Sequence, residues 1–107
     1  DVLVVGAAYK PDVSDTRESP AIDIIQQLEE WNAAVAYHDP HVPELDILGE
    51  LYDSVPLTIE RLETSDCVVI VTDHSDINVD RLVEHAPLVF DTRNATVGRN
   101  ESNVVRL

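Results

Sequence analysis

Cys67-Val68-Val69-Ile70-Val71-Thr72 runs straight into Asp73-His74-Ser75-Asp76. The first six residues are mostly β-branched and carry no charge, which fits a strand buried on both faces; the polar four fit the loop after it. After this loop, Val79 to Glu84 reads as a helix with Leu82 and Val83 inward. Leu88-Val89-Phe90 reads as another strand and ends at Asp91-Thr92-Arg93-Asn94. A polar stretch follows, and Val104-Val105 can add a last edge strand.

The other direction repeats the pattern. Val2-Leu3-Val4-Val5 is a short apolar run ending at Gly6. Ser19-Pro20 is a helix start: serine caps, and proline fits the first helical position, where its missing N–H costs nothing. The helix runs to about Trp31, with Ala21, Ile24, Ile25, Leu28 and Trp31 on one face, so Trp31 is read as a core or domain-interface residue. Ala34 to His38 reads as a second strand, stopped by Asp39-Pro40. Residues 41–54 have no firm period and read as a short helix or a docked loop. Val55 to Leu57 reads as a brief third strand, and Thr58 caps a helix over Ile59 to Thr64.

Strands alternating with helices predict one α/β domain over residues 1–107, a three-layer α/β/α sandwich around a parallel five-stranded sheet. The expected order is 3-2-1-4-5, which puts Val55–Leu57 at the outer edge. Ligands of such sheets bind beyond the carboxyl ends of the strands. The polar clusters gather there: Tyr9 to Arg17 after the first strand, His38-Asp39 after the second, Asp73-His74 and Asp91 to Asn94 after the later two.

Charge narrows the partners. The formal net charge is -14, with 21 acidic residues against one lysine and six arginines. Such a surface repels nucleic acid and anionic membrane. With 44% hydrophobic residues the chain is folded rather than a disordered acidic tail, and its charge reads as halophilic. The single Cys67 excludes an internal disulfide; at the head of a buried strand it reads as a small hydrophobe. The chain has no secretory or long apolar segment, so the expected location is cytoplasmic. It begins directly on an apolar strand and reads as a piece of a longer protein.

The lone Lys10, with Arg17, lies just before the helix at Pro20, whose positive end favours phosphate. An arginine fork suits a phosphate bidentately, and lysine acts as a point charge. Surface pairing with Asp12, Asp15 and Glu18 is the competing reading. Neither G-x-G-x-x-G nor G-x-x-x-x-G-K-[ST] occurs. His38, His41, His74 and His85 match no ligand spacing, so no metal is expected, and Asp39 and Asp73 read equally well as loop caps.

Gly6-Ala7-Ala8-Tyr9-Lys10-Pro11-Asp12-Val13-Ser14-Asp15-Thr16-Arg17-Glu18-Ser19-Pro20, Tyr37-His38-Asp39-Pro40 and Asp91-Thr92-Arg93-Asn94 together resemble, in order, the motifs of the C-terminal, UDP-sugar-binding domain of the UDP-glucose/GDP-mannose dehydrogenase family. His38 enters that family's Y-D-P turn as an insertion or substitution, and Ser14 stands where the family is usually acidic. The resemblance implies a Rossmann-like fold and an NAD-dependent enzyme that oxidises the C6 alcohol of a nucleotide sugar to a carboxylate. It implies that Tyr9, Lys10 and Arg93 contact the UDP-sugar and that Arg17 reaches toward NAD, which is bound mainly by an N-terminal domain outside this chain. The family's catalytic thiol has no match here, so no catalytic residue is assigned and the isolated chain is expected to be inactive. The resemblance also implies N-terminal and central domains in the parent chain and a homodimer. The Asp91–Asn94 segment leans toward an N-acetylated UDP-hexosamine. A stand-alone nucleotide-binding or regulatory module is the alternative.

Overall fold

A computed structural model describes residues 1–8, 12, 16, 19–96 and 101–106. Five strands form one parallel sheet: β1 (Val2–Val5), β2 (Val35–His38), β5 (Cys67–Ile70), β6 (Val89–Asp91) and β7 (Val104–Arg106), in the order β2-β1-β5-β6-β7. Three helices connect them: α1 (Pro20–Glu30), α2 (Ile59–Thr64) and α3 (Val79–His85). No helix among the described residues is long and apolar enough to cross a membrane.

Side chains on β1 alternate between two cores, as the pleat of a strand requires. Val4 points to one face, where Ala21 and Ile25 of α1 cover it along with Tyr37. Leu3 and Val5 point to the other, where Leu62 of α2 and Leu82 of α3 lie. Helices or the hairpin cover both faces, which fits the uninterrupted apolar runs of β1 and β5. The predicted three-layer α/β/α sandwich is the observed architecture.

Each helix start is capped by a short polar side chain, two of them, Ser19 and Thr58, as expected from sequence. Ser19 Oγ accepts the Ala21 N–H at 3.2 Å, with Pro20 next to it. Thr58 Oγ1 accepts from Arg61 N and Asn78 Oδ1 from Arg81 N, each at 3.1 Å. Capping of this kind contributes about 1 kcal/mol per helix.

Three expectations are corrected. Residues 41–54 hold neither a helix nor an irregular loop: β3 (Glu44–Ile47) and β4 (Glu50–Asp53) form an antiparallel hairpin on the α1 side of the sheet. Leu45 and Ile47 bury themselves in the α1-side core while Glu44 and Asp46 face outward. Leu48 and Gly49 turn the chain with φ of 52° and 87°, both left-handed, as a two-residue hairpin turn of this hand needs.

Val55–Leu57 is not a strand, and the order 3-2-1-4-5 fails at that edge. Pro56 has no N–H to donate, so a single bond, Val55 N–H to the Tyr37 carbonyl at 2.8 Å, replaces a ladder. The fifth strand is β7, at the opposite edge beside β6. Of the two readings of Trp31, the core is excluded and a domain interface is left: it is the C-cap of α1 and 69% exposed, because the buried stripe ends one turn earlier.

Candidate functional site

Gly6 ends β1 with φ +98°, and a Cβ there would lie 2.5 Å from both Cβ and the backbone nitrogen of Thr72. Only glycine lets the turn after β1 press against the end of β5. Thr72 Oγ1 then donates to the Ala8 carbonyl at 2.8 Å. Ala7 and Ala8, both fully buried, follow with their N–H groups turned toward Asp39 at the end of β2.

Asp39 is 1% exposed and accepts at both oxygens. Oδ2 takes Ala7 N–H at 2.7 Å, Ala8 N–H at 3.2 Å and His74 Nε2 at 2.8 Å. Oδ1 takes His41 N–H at 2.7 Å. In open α/β sheets the first turn's N–H groups commonly cradle a phosphate. Here a carboxylate of the protein holds those donors, which gives the missing glycine-rich fingerprint a physical counterpart.

His74 is fully buried at the end of β5. Its Nδ1 accepts the Asp12 N–H at 2.7 Å, so that nitrogen carries no proton and Nε2 is the donor to Asp39. Asp12 sits at φ +62° and its Oδ1 accepts from Ser75 N at 2.7 Å and Ser75 Oγ at 3.0 Å. The Ser75 backbone and hydroxyl hold the Asp12 carboxyl below its ordinary range. His41 lies against His74 with ring centroids 4.6 Å apart, and its Nε2 meets Asp76 Oδ1 at 3.0 Å. That hydrogen bond raises the His41 imidazole and lowers the Asp76 carboxyl.

The end of β6 is a separate knot. Asp91 is 1% exposed. Its Oδ1 accepts Arg93 N–H at 2.9 Å, and its Oδ2 accepts Thr96 N–H at 2.8 Å and Thr96 Oγ1–H at 2.6 Å. Burial pushes the carboxyl up, but the Thr96 hydroxyl and N–H, with the amides of Arg93 and Ala95, outweigh it and hold Asp91 below the ordinary value. The bond to its backbone N–H fixes where Arg93 leaves the chain, with its side chain exposed. Half-buried Asp73 is pushed up by burial and by Asp91 and Asp12, against the pull of His74 and Arg93.

The carboxyl edge therefore gathers Asp12, Asp39, His41, Asp73, His74, Asp91 and Arg93 from four loops. Of the residues expected from sequence, Arg93 is there; Tyr9, Lys10 and Arg17, with Ser14, lie outside the described residues. The Asp39–His74 pair was legible only as two loop polar groups, and their shared position after parallel strands was the available signal. Ligand atoms of Asp12, His41 and His74 come within 4.8 Å of one another. Both His74 nitrogens are already engaged, however, so the group lacks a free imidazole lone pair there. Cys67 sits at the amino end of β5, the far edge, where burial pushes its thiol up and keeps it protonated. A surface depression at that same far edge, between Val2, Val35, Arg61 and Thr64, holds none of these groups.

Comparison with known proteins places the chain in a family. The model of the UDP-glucose/GDP-mannose dehydrogenase family, UDP binding domain, matches residues 3–98. The UDP-N-acetyl-D-mannosamine dehydrogenase of Methanococcus maripaludis is 38% identical over 103 residues, 87% of this chain and 22% of that protein. The UDP-glucose 6-dehydrogenase TuaD of Bacillus subtilis is 34% identical over 100 residues, with the same coverage of each. The solved UDP-N-acetyl-mannosamine dehydrogenase of Staphylococcus aureus superposes with a TM-score of 0.68 at 32% identity, over 99% of this chain and 25% of that one. The chain thus spans between a fifth and a quarter of the length of these relatives, and it belongs to the UDP-glucose/GDP-mannose dehydrogenase family, as that family's UDP-binding domain.

Proposed function

We propose that these 107 residues form one domain that binds the nucleotide sugar in a longer NAD-dependent nucleotide-sugar 6-dehydrogenase. Family membership over residues 3–98 carries the reading. The converging loops at the carboxyl edge support it, because sheets of this kind bind ligands there. The substrate class is a UDP-hexose or UDP-N-acetylhexosamine. The second is favoured, since the relatives in Methanococcus and Staphylococcus carry N-acetylmannosamine in their names.

In this reading Tyr9, Lys10 and Arg93 hold the sugar nucleotide. Lysine and arginine neutralise the diphosphate, which a surface of net charge -14 otherwise repels. NAD accepts the hydrides removed from C6. The first-turn amides that could cradle its pyrophosphate are filled by Asp39, so the cofactor is assigned to another part of the parent chain, with Arg17 reaching toward it. A cytoplasmic, salt-adapted homodimer completes the proposal.

The test is NADH formation by the full-length protein with a panel of nucleotide sugars. Turnover with a UDP-N-acetylhexosamine is expected; no NADH with any UDP-sugar overturns the reading. Lys10→Ala is expected to weaken productive binding by about 1–3 kcal/mol, the cost of a lost charge-assisted hydrogen bond. An unchanged KM would return Lys10 to the surface. The 107 residues alone are expected to form no NADH.

A further inference from the structure

A fully buried histidine with both ring nitrogens engaged calls for an explanation that packing does not supply. An apolar residue at position 74 would fill the space, yet it would strand the Asp12 N–H and remove a donor from Asp39. The ring joins three parts of the fold: the loop after β1 through Asp12, the end of β2 through Asp39, and the end of β5 from which it comes. Asp12 is held in left-handed backbone, which costs a non-glycine residue about 1 kcal/mol or more. Its attachments to His74 and Ser75 offset that cost.

We propose that His74 is a positioning residue for the nucleotide-sugar site: as a neutral imidazole protonated at Nε2, it is a two-ended spacer that stakes the loop after β1 to Asp39. The inference rests on the proposed function, because the loop it stakes carries Lys10 two residues before Asp12. The Nε2 end secures the scaffold and the Nδ1 end secures the loop. The two ends therefore have separable consequences, which a purely structural histidine would not have.

Two amide variants of the full-length protein separate them. In His74→Asn the amide oxygen falls near the place of Nδ1, keeping an acceptor for Asp12 and losing the donor to Asp39. In His74→Gln the amide nitrogen falls near the place of Nε2, keeping the donor and losing the acceptor. Both lose one buried hydrogen bond, so both should lower the Tm to a similar degree. His74→Gln is expected to raise the KM for the nucleotide sugar about ten-fold with kcat little changed, the loss of roughly one hydrogen bond's worth of binding. His74→Asn is expected to stay within about two-fold of the parent. Equal KM values in the two variants, or the reverse ranking, overturn the proposal. Hydrogen exchange at the Asp12 amide decides the question without a substrate: it should accelerate in His74→Gln and stay slow in His74→Asn, and equal rates overturn the proposal. If the unsubstituted protein turns over no nucleotide sugar, the proposed function fails while this exchange readout still judges the spacer. If neither variant folds, nitrogen-15 imidazole shifts of the unsubstituted protein judge it: a protonated Nδ1 on His74 would overturn the inference.

Discussion

Asp39 and Asp91 lie beyond the ends of β2 and within the end of β6, both 1% exposed and both ringed by donors. They do different work. The donors on Asp91 come from Arg93 and Thr96, two and five residues along the chain. Those on Asp39 include Ala7, Ala8 and His74, 32, 31 and 35 residues away. One carboxylate shapes its own loop; the other fastens three loops of a parallel sheet together. Local knots form with the loop that contains them, whereas a remote knot must wait for the sheet and becomes part of the tertiary structure it holds.

Asp39→Ala should have the largest effect. Four donors lose their acceptor: the Ala7 and Ala8 N–H groups and the Nε2–H of His74 in a buried place, and the His41 N–H in a half-buried one. At about 1–3 kcal/mol for each stranded group, the loss should reach 4 kcal/mol or more. That is a large share of the roughly 5–15 kcal/mol that holds a domain together. Denaturant unfolding measures it, and a loss under about 2 kcal/mol would contradict the fastening role.

Asp91→Ala should be milder, about 2–3 kcal/mol, because the Thr96 hydroxyl can turn to another acceptor and the Arg93 amide borders the exposed edge. If it equals or exceeds Asp39→Ala in the same denaturant series, the distinction between local and remote knots fails.

Acid sharpens the contrast. The folded Asp91 carboxyl titrates below its ordinary value of 3.8, so its contribution is present above the unfolded pKa and disappears as pH falls through the lower, folded one. Stability should drop below about pH 4 with a component that Asp91→Asn removes, at most about 1.4 kcal/mol per pH unit for one proton. Acid titrations of the two proteins that run parallel would refute the assignment.

The smallest effect belongs to Asp73, whose folded pKa is raised. A raised carboxyl binds its proton more tightly when folded, so stability declines as pH climbs from the ordinary value through the raised one, and the penalty persists at neutral pH. Asp73→Asn should gain a few tenths of a kcal/mol at pH 7, since the site is solvent-screened, and nothing near pH 3. A loss in Tm at pH 7 would show that Asp73 is held by a favourable contact.

The same contrast explains what the sequence disclosed. Ser19-Pro20, the run Val2–Val5 and the run Cys67–Thr72 announced α1, β1 and β5, because caps and apolar runs are local signals. The Asp91–Asn94 segment also stood out as the polar cluster after an apolar strand, and it is a local knot. The hairpin stayed hidden because Leu48-Gly49 replaces the usual Asn-Gly and because Glu44-Leu45-Asp46-Ile47 alternates over only four residues. Val55–Leu57 misled because apolar content outweighed the missing donor of Pro56. Of the candidate site, Arg93 came through motif resemblance. The Asp39–His74 bond could not, since nothing in two loops 35 residues apart encodes their meeting except the parallel order of the strands between them.

In the proposed function the carboxyl edge of this sheet receives the nucleotide. Hydrogen–deuterium exchange of the full-length protein with and without UDP tests it most directly. Protection is expected in peptides covering Ala7 to Asp12, Asp73 to Asp76 and Asp91 to Thr96. Protection confined to the opposite edge, around Val35, Arg61 and Thr64, or no protection at saturating UDP, would contradict the account.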